Sequence, residues 1–420
     1  MYAIVDVNNF YASVEKTFNP KLKSKPVVVL SNNDGCVIAR SAEAKSLGIK
    51  MGQPAYLSKK FFKNNDVTIF SSNYTLYADM SQRVMSILAG FVPEIEMYSI
   101  DEAFLNLSSL NNFDLDKFGI AVRQKIYQWT GLIVSVGIAP TKTLAKVANK
   151  LIKKNQIKSG VLLLQSNNAI DDVLDKFDIS DVWGIGKQHA NFLKQNNIDT
   201  AYQFKNANED WIHKNLTVVG RRTQMELQQF PCIGLDDAPA AKKGIGTTRC
   251  FGKDVYAIEE ISEALCHYVS RACEKLRKNN LHAGKFTVIL HTNVFRQDIS
   301  QYYNKSQKKL PVYTNNTNEV LPYAISALHT LFKKGICYYK TGIIFGDLKP
   351  DNEFQSTIFD TYKRDKRNGL MKTLDGLNQN FGKGTIVFGA EGLDKSWAHK
   401  INHLSKKYTT NLDHVIRIKV

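Results

Sequence analysis

The sequence predicts an α+β protein with more than one domain. In the first 165 residues, short runs rich in Val and Ile alternate with segments whose apolar residues recur at helical intervals. A similar series begins near residue 246, after a stretch of short helices and turns, although the two show no sequence repeat. Strands and helices mixed in this order are typical of sheets with helices on one face. The chain has 420 residues, and such a length allows roughly two to four domains.

The elements of the first part are predicted from their local patterns. Alternating residues 2–7 form a strand that ends near Asp6, and residues 26–30 form a second, buried strand. Apolar residues at helical spacing predict a helix over 74–91. The remaining elements are a hairpin over 95–107 with Asp101 and Glu102 at its turn, helices over 115–129 and 141–154, and strands over 132–138 and 161–164.

The rest of the chain divides into three parts. Residues 168–235 show short helices and turns. A second α+β unit follows, with strands at about 246–252, 284–292 and 336–345, helices at 258–279 and 319–334, and a polar loop over 304–318. After Pro350 the chain is polar and rich in Lys, Asn and Gly. This composition predicts a tail with a helix or two and patchy order.

The net charge is the most unusual feature of the composition. The chain has 56 Lys and Arg against 39 Asp and Glu, a formal charge of +17. Such an excess favours a polyanionic partner, either nucleic acid or an anionic membrane, and a generally basic proteome is the alternative. No apolar run approaches the roughly 20 residues that span a bilayer, and the N-terminus lacks the pattern of a signal peptide. Nucleic acid is therefore favoured over a membrane.

The cysteines point to a reducing compartment. The six cysteines form no CxxC pair. This spacing argues against a zinc ribbon or a disulfide scaffold and suits the cytosol.

Three carboxylates stand in apolar surroundings near predicted strand ends. Asp6 closes the apolar first strand, and Asp101 and Glu102 are adjacent within the hairpin. Burying a carboxylate is costly unless a cation or hydrogen-bond donors compensate its charge. The three acids therefore suggest a divalent-metal site of the kind that performs two-metal phosphoryl transfer. Two solvated turn acids and one strand-end Asp would give the same local pattern.

Two further features point to phosphate groups. Lysines recur on one face of the 141–154 helix, including Lys153, and could neutralise phosphates, although a solvated basic face has the same spacing. Gly184 and Gly186 are followed by Lys187 and an amphipathic helix, a pattern typical of the helix-hairpin-helix. Backbone amides at such a turn can bind a DNA phosphate, whereas an ordinary helix connection would look similar. A second backbone contact is expected at Arg221 and Arg222.

Together these motifs resemble those of the Y-family (translesion) DNA polymerases, closest to the UmuC type. The similarity covers nearly the whole chain and is carried, in order, by Asp6–Glu15, Lys25–Arg40, Ser71–Tyr74, Tyr77–Ser81, Tyr98–Phe104 and Thr141–Asn149. It implies a right-hand polymerase with a ferredoxin-like palm, small fingers, a helical thumb and an α+β little finger. The implied limits are 1–11 and 75–165 for the palm, 12–74 for the fingers, 166–238 for the thumb, 239–346 for the little finger and 347–420 for the tail.

The resemblance also implies roles for individual residues. Asp6, Asp101 and Glu102 become the ligands of two Mg²⁺ ions, helped by the backbone carbonyl of Val7. Tyr11 becomes the steric gate, whose ring lies against C2′ of the sugar and excludes ribonucleotides. Without the motif, a tyrosine at this position would be taken for a packed core aromatic.

Two lysines are implied in contacts with the incoming triphosphate. Lys153 aligns with a family lysine of this role, and Lys45 stands where many members have the Arg of a Tyr-x-x-Arg pair. The Tyr of that pair is replaced by Ala42, so no triphosphate contact is expected there. Lys45 supplies charge but not the two-pronged hydrogen bonding of Arg.

The implied function is low-fidelity, template-directed DNA synthesis for lesion bypass in an SOS-type response. Implied partners are primer–template DNA, dNTP, a sliding clamp, a dimeric UmuD-type accessory protein and a recombinase filament, in the bacterial cytoplasm near the nucleoid. The clamp peptide is expected at Gln355, Ile358 and Phe359, which resemble Gln-x-x-Leu-Phe. The alternatives are a non-catalytic DNA-binding factor at stalled forks, disfavoured by the intact acids, and a palm-fold nucleotide cyclase, disfavoured by the glycine turn and the second α+β unit.

Overall fold

The structure, a computed structural model, describes residues 1–110, 113–235, 241–351, 353, 364–398 and 400–416. It divides into two compact units, one of Met1–Pro239 with Asn402–Val420 and one of Ala240–Ile401. The chain therefore leaves the first unit and returns to it at residue 402. Within the described ranges, no helix has both the length and the apolar composition needed to cross a bilayer.

The first unit confirms most of the predicted elements to within a few residues. Its strands are β1 (Tyr2–Val7), β2 (Val27–Leu30), β3 (Val37–Arg40), β4 (Thr68–Ser71), β5 (Ile95–Met97), β6 (Glu102–Asn106), β7 (Val134–Ala139) and β8 (Val161–Leu163). Its helices are α1 (Phe10–Thr17), α2 (Ala42–Ser46), α3 (Ala55–Asn64), α4 (Tyr74–Ala89), α5 (Leu115–Thr130), α6 (Lys142–Lys154), α7 (Asn167–Asp175), α8 (Lys187–Gln195), α9 (Ala201–Lys205) and α10 (Glu209–Leu227).

The larger sheet has the order β5-β6-β1-β7-β8, with β1 antiparallel to both β6 and β7. Along the chain, β1, α4, β5, β6, α5 and β7 follow one another in the βαββαβ arrangement of a ferredoxin-like fold. The second sheet, of order β3-β2-β4, is inserted between β1 and α4 and has its own apolar core. The first strand thus lies at the centre of the larger sheet, flanked by the hairpin strand that carries the acidic pair.

Helices cover both faces of the larger sheet, so the prediction of helices on one face is wrong. Ala3 and Val5 of β1 pack in one core with α4 and α5. Ile4 of β1 and Phe104 of β6 pack in another with α6 and with helices α7 to α10. Successive side chains of a strand point to opposite faces, so β1 contributes to both cores. Asp6 lies two residues after Ile4, so its side chain points to the same face of the sheet, the face that α6 covers.

The second unit is a four-stranded antiparallel sheet with helices. Its elements are β9 (Gly244–Val255), α11 (Ile258–Lys278), β10 (Leu281–His291), β11 (Tyr303–Thr314), α12 (Thr317–Leu331), β12 (Tyr338–Pro350) and α13 (Arg364–Asn380), and its strand order is β11-β10-β12-β9. The prediction of a polar loop over 304–318 is wrong, because most of these residues form β11. This strand lies at the sheet edge with mostly exposed side chains, so it lacks the apolar alternation by which strands are predicted.

Candidate active site

Strand pairing brings the three predicted carboxylates to one end of the larger sheet. Asp6 of β1 stands opposite Glu102 of β6 in the antiparallel ladder. Asp101 directly precedes β6, and its carbonyl oxygen accepts a hydrogen bond of 2.9 Å from the amide of Val7. The Asp101 carboxylate in turn accepts a hydrogen bond of 2.6 Å from Ser99 Oγ.

Lysines of α6 neutralise two of these acids. Lys153 Nζ lies 2.6 Å from Asp6 Oδ2, and Lys146 Nζ lies 2.8 Å from Glu102 Oε1. Burial raises the pKa of Asp6 to about 7 in spite of Lys153, and the adjacent Glu102 adds to the rise. Burial would also raise the pKa of Glu102, but hydrogen bonds from Asp6 and Lys146 lower it overall. Asp6 therefore takes up a proton more readily than Glu102.

The donor set fits a divalent cation, although the lysines hold the acids in this structure. Among the described residues, no three His, Cys, Asp or Glu side chains are grouped closely enough to hold a metal ion. The chemistry is nevertheless suitable, because carboxylate oxygens are the ligands that Mg²⁺ prefers. Asp6, which is only 6% exposed, also requires a nearby positive charge to be ionised.

A cavity of about 420 Å³ opens beside the acids. Its lining contains six residues predicted to bind metal or nucleotide, namely Asp6, Val7, Tyr11, Lys45, Asp101 and Lys153. Glu102 is not part of the lining, because its carboxylate is turned toward Lys146. The sequence motifs, spread over some 150 residues, thus converge on one concave surface.

Tyr11 forms an aromatic wall of this cavity. Its ring stacks on Tyr77 with centroids 4.4 Å apart and an interplanar angle of 15°, and it meets Tyr74 edge-on at 6.1 Å. Burial, together with Tyr74 and Asp101, raises the pKa of the Tyr11 hydroxyl. The ring is therefore neutral and held on one side by its neighbours, while its other side borders the cavity.

The cavity also collects basic side chains, one of which the sequence analysis did not single out. Arg40, the last residue of β3, lines it together with Lys45 and Lys153. Burial lowers the pKa of Lys45, and repulsion from Arg40 and Lys153 lowers it further. Like charges in one opening are costly unless an anion offsets them. Arg40 could have been predicted from the sequence, because it ends the Lys25–Arg40 motif and lies only five residues before Lys45.

Four of the five lysines of α6 are ion-pair partners, so they do not form the free basic face that the sequence suggested. Lys142, which is 2% exposed, is too deeply buried to reach a ligand. The pairs are Lys142–Glu96 at 2.6 Å, Lys146–Glu102 at 2.8 Å, Lys150–Asp181 at 2.5 Å and Lys153–Asp6 at 2.6 Å. Since Asp6 and Glu102 lie on the α6 face, the helix acts as the counter-charge of the acidic site.

The predicted glycine turn lies at the start of α8. Gly184 has a φ of +91°, a conformation that favours glycine, and Gly186 caps the helix that begins at Lys187. All three residues are exposed. The first amides of this helix, which have no partner within it, therefore belong to exposed residues, as an anion contact requires.

The two arginines of the second predicted DNA contact differ, since Arg222 is exposed and Arg221 is held in an ion pair. Helix α10 is broken at Thr217, which has a φ of +62°, so Arg221 and Arg222 lie in the first turns after the break. Arg222 is exposed. Arg221 is half-buried and pairs with Glu209 at 2.5 Å, so it is a weaker candidate than the sequence suggested. The clamp-peptide residues Gln355, Ile358 and Phe359 lie outside the described residues.

Three family models match separate stretches of the chain. Residues 5–150 match the model of the impB/mucB/samB family, and residues 242–358 match the C-terminal domain of that family. Residues 368–418 match a domain of unknown function.

Individual relatives cover all or nearly all of the chain. Protein ImpB of Salmonella typhimurium is 41% identical over 414 residues, which cover 98% of this chain and 97% of the relative. Protein UmuC of Salmonella typhimurium (strain LT2) is 40% identical over 422 residues and 100% of both chains. A solved Y-family DNA polymerase chimera of Dbh and Dpo4 has a TM-score of 0.66 at 22% identity, covering 83% of this chain and 99% of the other, which confirms the predicted fold. The chain therefore belongs to the impB/mucB/samB, or UmuC-type, family of Y-family DNA polymerases and is a translesion DNA polymerase of the DNA damage response.

Proposed function

We propose that this polymerase adds dNTPs to a primer in the cavity between Asp6, Tyr11 and Lys45. The observation that supports this site is that Asp6, Asp101, the aromatic wall and three cations line one cavity. Nucleotide addition needs all three: oxygen ligands for metal, a surface for the sugar, and positive charge for the phosphates. Distant motifs would not be expected to meet in this way around an unrelated pocket.

Enzymes of this class generally use divalent metal ions, and we assign two Mg²⁺ to Asp6, Asp101 and Glu102 with the carbonyl of Val7. Bound there, the ions would supply positive charge to the phosphates and to the attacking primer oxygen. The chain's own contribution is to hold the carboxylates at one sheet end. Lys146 pairs with the charge of Glu102, and Lys153 pairs with that of Asp6.

We assign the triphosphate to Arg40, Lys45 and Lys153, and the sugar to Tyr11. Charge-assisted hydrogen bonds from the three cations would orient the phosphates, and Arg40 could offer two parallel bonds. A ring held by its aromatic neighbours leaves little room beside C2′. A ribose hydroxyl there would clash with the ring or remain without a hydrogen bond, which disfavours ribonucleotides.

The thumb turn at Gly184, Gly186 and Lys187, together with Arg222 and more weakly Arg221, is proposed to hold the DNA backbone without reading its sequence. We further propose that a sliding clamp binds at Gln355, Ile358 and Phe359, and that a UmuD-type dimer and a recombinase filament assist. The 40% identity to UmuC supports the accessory partners. Because DNA is its proposed substrate, we place the protein in the cytoplasm near the nucleoid.

Substitution of Asp101 by Asn tests the site. Asp101→Asn removes the charge of one predicted ligand while keeping its shape. We expect primer extension with Mg²⁺ to fall by roughly 10²–10³-fold or more, as for loss of a group that stabilises transition-state charge. Binding of primer–template, measured by fluorescence anisotropy, should be retained.

Asp116→Asn is the matched control, because Asp116 is exposed on α5. It should extend primers as the unsubstituted protein does. Substantial extension by Asp101→Asn would refute the proposed site.

A further inference from the structure

After residue 401 the chain returns to the first unit and packs on the smaller sheet. Residues 402–408, which we name the C-terminal strap, lie within the domain of unknown function. Asn402 donates its amide to Asp34 Oδ2 at 2.9 Å. The carbonyl of His403 accepts from the amide of Ser71 at 3.0 Å, and the amide of His403 donates to Ser71 Oγ at 3.0 Å. The strap thus bonds to the backbone of the edge strand β4.

The centre of the strap contacts the two helices that carry the aromatic wall. Ser405 Oγ donates to Glu15 Oε1 of α1 at 2.9 Å. Asn73, the N-cap of α4, donates its Nδ2 to the carbonyl and Oγ of Ser405 and to the carbonyl of Lys406, at 3.0–3.2 Å. Tyr408 stacks on Phe18 at the end of α1, with centroids 4.9 Å apart.

A short series of contacts leads from the strap to the cavity. Tyr77 Oη of α4 donates to the same Glu15 Oε1, at 2.6 Å, that accepts from Ser405. The Tyr77 ring is the surface on which Tyr11 stacks. Glu15 is 2% exposed and therefore depends on these two hydroxyl donors. One buried carboxyl thus joins the strap, α1 and α4 directly behind Tyr11.

We propose that the C-terminal strap positions Tyr11 for sugar selection, with Ser405 acting through Glu15 and Tyr77 as a positioning residue. This rests on the proposed role of Tyr11 as the steric gate. Without the Ser405 hydroxyl, Glu15 keeps one donor, and α1 and α4 are free to shift relative to each other. The Tyr11 ring then rests on a less fixed support, and a ribose 2′-hydroxyl is excluded less well.

Single-nucleotide insertion by the full chain tests this proposal. For Ser405→Ala, we expect the ratio of kcat/KM for a dNTP to that for the matching rNTP to fall by about 3- to 10-fold, the effect of one ordinary hydrogen bond. The change should come from faster rNTP insertion, with dNTP insertion held within about twofold. Ser405→Thr keeps a hydroxyl and should restore the ratio. Ser396→Ala, at an exposed serine, is the control and should leave it unchanged.

Tyr11→Ala separates failure of this proposal from failure of the gate itself. If Tyr11→Ala leaves sugar selection unchanged, the gate assignment is wrong. Suppose instead that Tyr11→Ala lowers sugar selection. The positioning proposal alone is then overturned if Ser405→Ala leaves selection unchanged or lowers dNTP and rNTP insertion equally. Combining the two substitutions should add nothing to Tyr11→Ala, since both act on one ring. If Ser405→Ala does not fold, Tyr77→Phe can replace it in the test. This variant keeps the stacked ring but loses the hydrogen bond to Glu15, and it should show the same fall in sugar selection.

Discussion

At the scale of a residue, Glu15 makes the stability of the first unit depend on pH. Burial raises the pKa of its carboxyl to about 7, and the hydroxyl donors Tyr77 and Ser405 lower it only in part. The ordinary value of 4.5 applies once the chain unfolds. The folded protein therefore binds this proton more tightly than the unfolded chain. The resulting stabilisation is complete below pH 4.5 and is lost as the pH rises through 7.

Glu15→Gln should remove this dependence, because the amide keeps an acceptor oxygen and has no charge. From pH 5 to pH 8, the free energy of unfolding of the original protein should fall by up to about 3 kcal/mol relative to that of Glu15→Gln. Urea unfolding of both proteins at each pH measures the difference. Glu94→Gln, at an exposed glutamate, is the control. Parallel pH profiles for the original protein and Glu15→Gln would contradict the assignment.

At the scale of an element, α6 joins the acidic site to α10. Its start is capped by Thr141, and its first amides include that of Thr143, which donates to the buried Glu226 of α10 at 3.0 Å. Lys142 Nζ donates to Glu96 Oε2 at 2.6 Å and to the carbonyl of Gly234 at 3.0 Å. The ion pair is almost fully buried, so each charge depends on the other.

Lys142→Met should destabilise the first unit strongly, because it leaves the Glu96 carboxylate buried without its lysine. We expect a loss of about 3–5 kcal/mol in the free energy of unfolding. The double variant Lys142→Met with Glu96→Leu should recover most of that loss. Denaturant unfolding of the single and double variants measures both, with Lys154→Met at the exposed end of α6 as control. A double variant no more stable than Lys142→Met would count against the buried pair.

At the scale of the whole molecule, the charge of +17 supports binding to any DNA sequence. Lysines and arginines that neutralise phosphates release bound counterions, so affinity falls steeply with salt. The four α6 lysines described above contribute less than their number suggests, since each is paired with an acid. The exposed glycine turn at the start of α8 is a better candidate for such contacts.

Lys187→Gln should therefore weaken binding to all primer–templates alike and reduce the slope of log affinity against log salt by about one. Anisotropy titrations at several salt concentrations measure the slope. Lys194→Gln is the matched control on the same helix, because Lys194 is held by Asp178 at 2.7 Å. An unchanged slope for Lys187→Gln would place the DNA contact elsewhere.

Local patterns predicted the elements that follow a clear period. The strand of Asp6 was predicted because residues 2–7 alternate, and ladder pairing brings Asp6 opposite Glu102 of the predicted hairpin. Strand β11 was missed because an edge strand need not be apolar. The ion pairs of the α6 lysines were missed because helical spacing shows which residues share a face but not which acidic residues pack against it.

The sequence by itself determined the family, the α+β fold class and the acids, tyrosine and lysines that line the cavity, because these are encoded in short motifs and periodic patterns. Only the tertiary structure decided which lysine meets which acid, where Arg40 lies, and that the strap returns to the first unit. Asn73 and Ser405 are separated by 332 positions, and a contact of that range leaves no local pattern. It depends on a buried carboxyl and a sheet edge that exist only once the chain has folded.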